Sequence, residues 1–440
     1  MTSPRDLQVL VGEKTVGTLF ETNGLWSFQY SGEWLNKEGA FALSPHLPLL
    51  AAPLVDGASV RHVQWYFDNL LPEESQRLLL ATDARLSAAD AFGLLVYYGS
   101  ESAGSLTLME AGGQILDAAT KFQQLPLEDS RLSERIRNLP KLPLTHGSPK
   151  RMSLAGAQHK LAVILDHDAL YEPVGATPST HILKPDHERR DQYPHSAVNE
   201  WFVMRLADRL GLLVPAVSRR YVPEAVYLVS RFDRQYDAGQ WQRLHVVDAC
   251  QLTGLDRSFK YAEGSLTKLD QLTGYCRSAA STRTRLYAWL IFNVLVGNND
   301  AHLKNLSFLI DNRGIELAPH YDLLCTAVYE STVYGGKQWP EDSTLAWPIM
   351  DKSRFADIDR TTLLDAGRAL GLQTTTAKRV LDKMLSQIVG KAQALYDEVA
   401  AENLQIAQSR PALGATMAGE ERCLRAIIHN VIKPMVSQVA

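Results

Sequence analysis

Apolar and polar residues alternate with period two near the start of the chain and gather into helical stripes towards its end. Leu7, Val9 and Val11 alternate with polar positions, Gly12-Glu13 offers a turn, and 15–19 and 25–30 continue the pattern, so 6–30 is predicted as strands. Residues 58–80 switch to a helical spacing, and their aromatic run Trp65-Tyr-Phe-Asp-Asn-Leu-Leu-Pro72 is expected to fill a core rather than line a site. A helix over about 87–98 leads through Gly99-Ser-Glu-Ser-Ala-Gly104 to a strand at 105–109. Between 111 and 149, charged helical pieces alternate with Pro126, Pro140, Pro143 and Pro149, as in a connector. Strands are expected at 161–165 and 180–184, the second ending on Lys184-Pro185, and a helix from about Ser196 should stop at Gly211. Tyr227-Leu-Val-Ser230 reads as a strand entering a linker. From 245 onward the pattern is nearly all helical, with strand-like runs at 306–310 and 315–318, an irregular loop over 329–348, and helices near 361–371, 377–400 and 420–437.

Composition narrows the class. The 440 residues are 45% hydrophobic and 21% charged, as in an ordinary soluble globular chain, with room for roughly two or three domains. A formal net charge of −4 gives no global attraction to nucleic acid or to an anionic membrane. Cys250, Cys276, Cys325 and Cys423 lie far apart with no CxxC pair, so neither a zinc site nor a disulfide framework is indicated, and a reduced, cytoplasmic setting is the default. No apolar run approaches the roughly 18 residues that span a bilayer. The first residues lack the basic-then-apolar order of a signal peptide, and no membrane partner is expected.

The chemistry concentrates in one stretch. Residues 285–296 are apolar on every side, which predicts a buried helix, and Gly297 suits its left-handed end. The loop that follows reads Gly297-Asn-Asn-Asp-Ala-His-Leu-Lys-Asn305, with His320-Tyr-Asp322 beyond two strand-like runs. Asp300 and Asn305 have the spacing of a phosphoryl-transfer catalytic loop, in which the Asp orients the attacking hydroxyl and the Asn offers an oxygen to magnesium, while a later Asp such as Asp322 holds the bridging metal. The same spacing also suits a solvated helix-end loop with Asp and Asn as turn formers. Small residues at 155–157, ahead of the strand 161–165, would let backbone amides approach a phosphate, although a tight hairpin turn fits them equally. The one glycine there does not make a Walker A loop. Lys184 could meet nucleotide phosphates with Glu200 steadying it, or could simply be solvated.

Taken together, Ser153-Leu-Ala-Gly-Ala-Gln-His-Lys160, Thr180-His-Ile-Leu-Lys184, Arg231-Phe-Asp-Arg234, Gly297 to Asn305 and Tyr321-Asp322 resemble the HipA family, the Ser/Thr protein kinase toxins of bacterial type II toxin–antitoxin systems. The likeness extends to Phe67-Asp-Asn-Leu-Leu-Pro72 and Gly99 to Gly104 and covers the whole chain. It implies an α+β, two-lobed, atypical protein-kinase-like fold with a mixed N-terminal lobe and an all-helical C-terminal lobe. The implied divisions are an N-terminal subdomain at 1–112, a connector at 113–149, a kinase N-lobe at 150–235 and a C-lobe at 236–440. It also implies ATP and Mg2+ as cofactors. Asp300 becomes the catalytic base, Asn305 and Asp322 the metal ligands, and Lys184 the phosphate-contacting lysine. The backbone of Ala155, Gly156, Ala157, Gln158, His159 and Lys160 would cover the phosphates, and Ser230, Arg231 and Phe232 would hold adenine. His302, Leu303, Lys304 and Tyr321 would line the nucleotide site.

Ser153 matches the family's autophosphorylated serine, and Lys150 and Arg151 beside it could hold its phosphate in an ejected position that switches the kinase off. The implied partners are a HipB-like helix-turn-helix antitoxin and a protein substrate, an aminoacyl-tRNA synthetase with glutamate–tRNA ligase the single best choice. Two departures stand out. His159 replaces a commonly acidic residue and makes the loop more positive. Residues 344–360 hold few basic side chains for a region that can approach DNA in relatives, so operator DNA is expected mainly through the antitoxin. Two other functions compete: a small-molecule kinase of the aminoglycoside or choline type, and a catalytically idle scaffold that binds an antitoxin and helps repress its operon. The intact Lys184, Asp300, Asn305 and Asp322 speak against the idle scaffold.

Overall fold

A β-bulge near the start of the chain turns two neighbouring side chains to one face. Strand β1 (Arg5–Val11) pairs antiparallel with β2 (Lys14–Thr22), and the register shifts between Val9 and Leu10. Leu7, Val9 and Leu10 are therefore all buried, and Leu10 takes the core position that strict alternation assigned to Val11. The computed structural model describes residues 4–110, 123–152 and 154–440. Strands β3 (Leu25–Tyr30), β4 (Leu54–Val55) and β5 (Leu106–Met109) complete a sheet of order β4-β3-β2-β1-β5. The helix expected over 58–80 is two, His62–Asp68 and Glu74–Asp83, with Pro72 in the break, where its missing N–H costs no helical bond. Tyr66, Phe67, Leu70 and Leu71 are buried, as their aromatic and aliphatic character required, and Trp26 meets the Phe92 ring edge-on at 5.2 Å.

The chain folds into two compact units. The first takes the residues up to Pro185 with Leu228–Phe259 and Ser307–Ala318; the second takes Asp186–Tyr227, Lys260–Leu306 and Pro319–Ala440. In the first unit a second sheet runs β9 (His181–Pro185), β7 (Leu161–Asp166), β8 (Ala169–Val174), β6 (Gln123–Pro126). Its edge strand β6 lies inside the stretch that read as a connector. The helix Asp129–Arg137 follows, and its Arg135 grips the fully buried Glu172 of β8 through two bonds of 2.8 and 3.1 Å. The strand-like runs expected at 306–310 and 315–318 form, and a further strand, at 246–248, interrupts the helical pattern expected from 245 onward. Val246–Asp248 joins Ser307–Asp311 and Gly314–Leu317 in a three-stranded sheet, with Val246 opposite Leu309 and Phe308 opposite Leu317.

The second unit is largely helical: Ser196–Leu210, Leu266–Tyr275, Ala279–Leu295, Arg360–Ala369, Thr374–Ser409 and Gly414–Ala426. Starting at the end of the expected loop at 329–348, a hairpin forms, Thr344–Ile349 with Lys352–Arg354. Trp347 and Ile349 alternate inward there while Pro348 points out, a period-two signal that Gly335, Gly336 and Pro340 obscured. Near the C-terminal end, Pro434 cannot donate to the carbonyl of Asn430, and the Trp339 indole N–H takes that carbonyl at 2.8 Å. No helix among the described residues is long and apolar enough to cross a membrane. All four cysteines are buried free thiols, and burial pushes the Cys423 thiol up to about 12 and Cys325 well above its ordinary value.

A buried carboxylate ties this unit together. Glu420 accepts from the Tyr221 hydroxyl at 2.7 Å and from Arg219 at 3.1 Å. Burial outweighs both bonds and pushes its carboxyl up to about 7 from 4.5. The folded chain thus keeps a proton that the unfolded chain releases above about 4.5, so stability should fall as pH rises from 4.5 to 7 and stay low beyond. A shift of that size corresponds to about 3 kcal/mol. Urea denaturation between pH 5 and pH 8 should show this decline in the wild type and a flatter profile in Glu420→Gln; parallel profiles would remove Glu420 from the linkage.

Candidate active site

The candidate residues fall into two sets, one on each unit. The second unit holds the Asp-Asn loop, positioned by the helix Ala279–Leu295, whose Leu286, Trp289, Ile291, Phe292 and Leu295 are buried. Gly297 ends it with φ +63, and a Cβ there would lie 2.6 Å from the Ala327 Cβ and 2.7 Å from Val431 Cγ1. Backbone and space both demand glycine. The Gly297 carbonyl accepts from the Ala327 N–H at 2.9 Å and the Thr326 hydroxyl at 3.0 Å. Asn298 turns back onto the helix, with its side-chain amide donating to Asn293 Oδ1 at 2.7 Å, while its own Oδ1 accepts the Asp300 N–H at 3.0 Å.

Asp300 is held by its backbone. Its carbonyl accepts from the Asn305 side-chain amide at 2.8 Å and from the His302 N–H at 2.9 Å. The carboxylate is 46% exposed, accepts a hydrogen bond from the Tyr261 hydroxyl, and lies 3.9 Å from His302 Nε2. His302 meets the Tyr261 ring edge-on at 4.9 Å. Leu303 and Lys304 are buried; the Leu303 N–H donates to the Lys260 carbonyl at 3.1 Å, and the Tyr321 hydroxyl donates to the Lys304 carbonyl at 2.7 Å. The chain just beyond Asp322 is fixed by Asn199, whose side chain bonds the N–H and C=O of Cys325 at 2.9 and 2.8 Å. Asp322 itself sits in the left-handed region at φ +51, where a non-glycine residue is strained. It and Glu200 both act on buried Tyr227, whose hydroxyl is held well above its ordinary value by burial first and by these two carboxylates second. Tyr261 was not legible as a site residue, since no local spacing marks it, and Asn298 lies in the motif stretch with no role expected of it.

Asn305 and Asp322 present hard oxygen donors. Because Asn305 donates its amide N–H to Asp300, its Oδ1 is the end left to accept or coordinate. No three or more His, Cys, Asp or Glu residues converge as a metal site among the described residues. An amide and one carboxylate nevertheless suit Mg2+, which takes one or two protein oxygens and completes its shell with water and substrate phosphates.

The first unit holds the other set. Ser153 lies outside the described residues. In the loop that follows, Gly156 adopts φ +112, and the Lys160 ammonium bonds the Ala155 carbonyl at 2.6 Å. Ala155, Ala157 and Gln158 are half-buried, while His159 is buried, 3.2 Å from the Gln76 amide nitrogen, so it adds no exposed positive charge to the loop as expected from its sequence. The phosphate-holding role expected of Lys150 is also overturned. Lys150 is buried, with its ammonium 2.7 Å from Glu101 and 3.1 Å from the Thr177 carbonyl; Arg151 instead covers the Tyr97 ring at 3.8 Å.

Lys184 is buried near the end of β9. Ser230 ends the strand Ala225–Ser230, and the Arg231 N–H is already committed to the Thr180 carbonyl at 2.9 Å, with Phe232 following. The Arg231 side chain does something no motif announced. It bonds Asp233 at 2.9 and 2.7 Å and Glu101 at 3.2 Å, and Arg234 reaches the same Glu101 at 3.1 Å. The Gly104 N–H donates to Asp233 at 2.7 Å. Two of the sequence motifs, 99–104 and 231–234, thus meet in one buried ion network.

Residues 152–392 match the family described as HipA-like C-terminal domain, and residues 7–109 match the HipA N-terminal domain. The fold aligns at a TM-score of 0.74 with a solved complex of the Shewanella oneidensis toxin–antitoxin proteins HipA and HipB with operator DNA, at 27% identity and covering 97% of each chain. These matches define the class, a kinase of α+β fold. The serine/threonine-protein kinase toxin HipA of Shewanella oneidensis is 31% identical over 346 residues, 74% of this chain and 76% of that one. Y4mE of Sinorhizobium fredii is 40% identical over 318 residues, 70% of this chain and 74% of that one. The chain belongs to the HipA family.

Proposed function

We propose that this chain is an ATP- and Mg2+-dependent protein serine/threonine kinase that acts in the cytoplasm as a growth-inhibiting toxin. The observation that carries the proposal is the Asp300–Asn305 loop: both residues are tied together through the Asp300 backbone carbonyl, and the Asp300 carboxylate stays accessible. In this role Asp300 orients the attacking hydroxyl and accepts its proton, Lys184 offsets phosphate charge, and Asn305 and Asp322 would hold Mg2+, which supplies charge neutralisation on the transferring group. The backbone of 155–160 covers the phosphates, 230–232 borders adenine, and His302, Leu303, Lys304 and Tyr321 line the nucleotide.

The proposed substrate class is an aminoacyl-tRNA synthetase, with glutamate–tRNA ligase as the first to try. The proposed restraints are a HipB-like helix-turn-helix antitoxin, which would carry the contact with operator DNA, and autophosphorylation at Ser153. A phosphate at Ser153 would act by repelling the phosphates of ATP from the adjoining loop. The complex of the related Shewanella protein with HipB and operator DNA supports the partner assignment. The test is transfer of labelled phosphate from ATP in the presence of Mg2+, offered in parallel to glutamate–tRNA ligase, other synthetases, and aminoglycosides and choline. Label is expected in a synthetase band and on Ser153, and label on the small molecules alone would replace this function with the competing one.

A further inference from the structure

The start of the helix Glu74–Asp83 and the residues just before it touch the loop 154–160 at two points. Pro72 and Gly156 form an isolated parallel bridge, with the Glu73 N–H donating to the Gly156 carbonyl at 3.3 Å. One helical turn on, buried Gln76 approaches buried His159 at 3.2 Å, Nε2 to Nε2. A cavity of about 30 Å³ adjoins the loop on this side, lined by Pro72, Gln76, Leu80, Leu144, Gln158 and Lys160 among others. Gly156, at φ +112, has a backbone that glycine bends freely, so contacts made from outside the loop support one shape among many. Nothing in the first 110 residues has catalytic spacing, yet they supply this support.

We propose that residues 72–76 are a positioning clamp for the phosphate loop, setting the affinity for ATP from the N-terminal region. The proposal rests on reading 155–160 as the loop that covers ATP. A clamp of this kind works by pre-organisation: the loop is held in its binding shape before nucleotide arrives, so less ordering free energy is lost on binding. Coupling is reciprocal, so a nucleotide that tightens the loop must also tighten the helix Glu74–Asp83. Gln76 is a positioning residue here and needs no contact with ATP.

The test compares the full chain with Gln76→Ala and Gln76→Glu. In Gln76→Ala the KM for ATP should rise about fivefold, the value of one hydrogen bond of about 1 kcal/mol, with kcat at saturating ATP changing less. Gln76→Glu exchanges the amide donor for a carboxylate acceptor, which pairs with His159 only when the imidazole carries its proton on Nε2, so it should restore the affinity in part. Amide hydrogen exchange over 154–160 should quicken in Gln76→Ala without nucleotide, and a non-hydrolysable ATP analogue should slow exchange across 74–83 in the wild type but less in the variant. A folded Gln76→Ala chain with wild-type KM and wild-type exchange over 154–160 would overturn the clamp. If the wild type itself neither binds ATP nor transfers phosphate, the kinase function fails, while the nucleotide-free exchange still decides whether the clamp exists.

Discussion

Replacing Asp300 by alanine should lower phosphate transfer by about 10²–10⁴-fold, the usual contribution of a positioned general base, while leaving the thermal unfolding midpoint almost unmoved. The stability half of that expectation follows from where the loop's bonds are made. The Asp300 N–H and C=O carry the contacts with Asn298, His302 and Asn305, and alanine keeps every one of them. What is lost is a carboxylate already 46% exposed, with one hydrogen bond from Tyr261, and half-exposed polar groups contribute at most about 1 kcal/mol. Labelled-ATP transfer and circular-dichroism melts of the purified chain check the two halves separately. Transfer at the wild-type rate would take the base role from Asp300. A large drop in melting temperature would mean that the loss of activity reports unfolding.

Glu101→Gln should do the opposite, destabilising the first unit while leaving Asp300 in place; its bond to Arg231 ties it to the proposed nucleotide site only through that side chain. Glu101 is fully buried, and burial alone would raise its pKa; the charges of Lys150, Arg234, Arg231 and Arg243 reverse that and hold it well below the ordinary carboxylate range. Around it the cluster carries four cations, Lys150, Arg231, Arg234 and Arg243, against the two carboxylates of Glu101 and Asp233. The excess of positive charge shows in Arg243, pushed down to about 9 by burial first and by Arg234 next. Removing one of the two anions leaves buried cations without compensation, an error that costs about 3–5 kcal/mol. The depressed pKa also means that this stabilisation is present above the unfolded carboxyl value of 4.5 and is lost as pH falls towards the folded one. The midpoint of urea denaturation should fall accordingly in the variant, and Glu101→Gln combined with Lys150→Met should recover part of the loss. A change below about 1 kcal/mol would show the network to be solvated rather than buried.

The fold was most legible where a local period carries the information. The apolar run over 285–296 and its glycine appear as the helix Ala279–Leu295 and Gly297 at φ +63, and the stop expected at Gly211 is a left-handed residue at φ +86. The hairpin at 344–354 was hidden because its two alternating core residues, Trp347 and Ile349, sit among glycine and proline signals for loop. The Asp300–Asn305 spacing pointed to the loop that the structure organises, but Tyr261, which bonds the Asp300 carboxylate, is brought in by tertiary folding and has no signature. Lys150 shows the limit most clearly. Its place near Ser153 suggested a phosphate contact, and Glu101 with the Thr177 carbonyl, both distant in the chain, explains why it is buried. Charge pairing across the chain has no period, so pattern analysis does not see it.

The four sheltered thiols give the molecule a chemical clock. An alkylating reagent needs thiolate, and Cys423 at about 12 offers almost none while folded, so labelling waits for an opening event and its rate counts such events. Cys250 belongs to the first unit and Cys276, Cys325 and Cys423 to the second, so the adducts, read peptide by peptide, time the breathing of each unit in one reaction vessel.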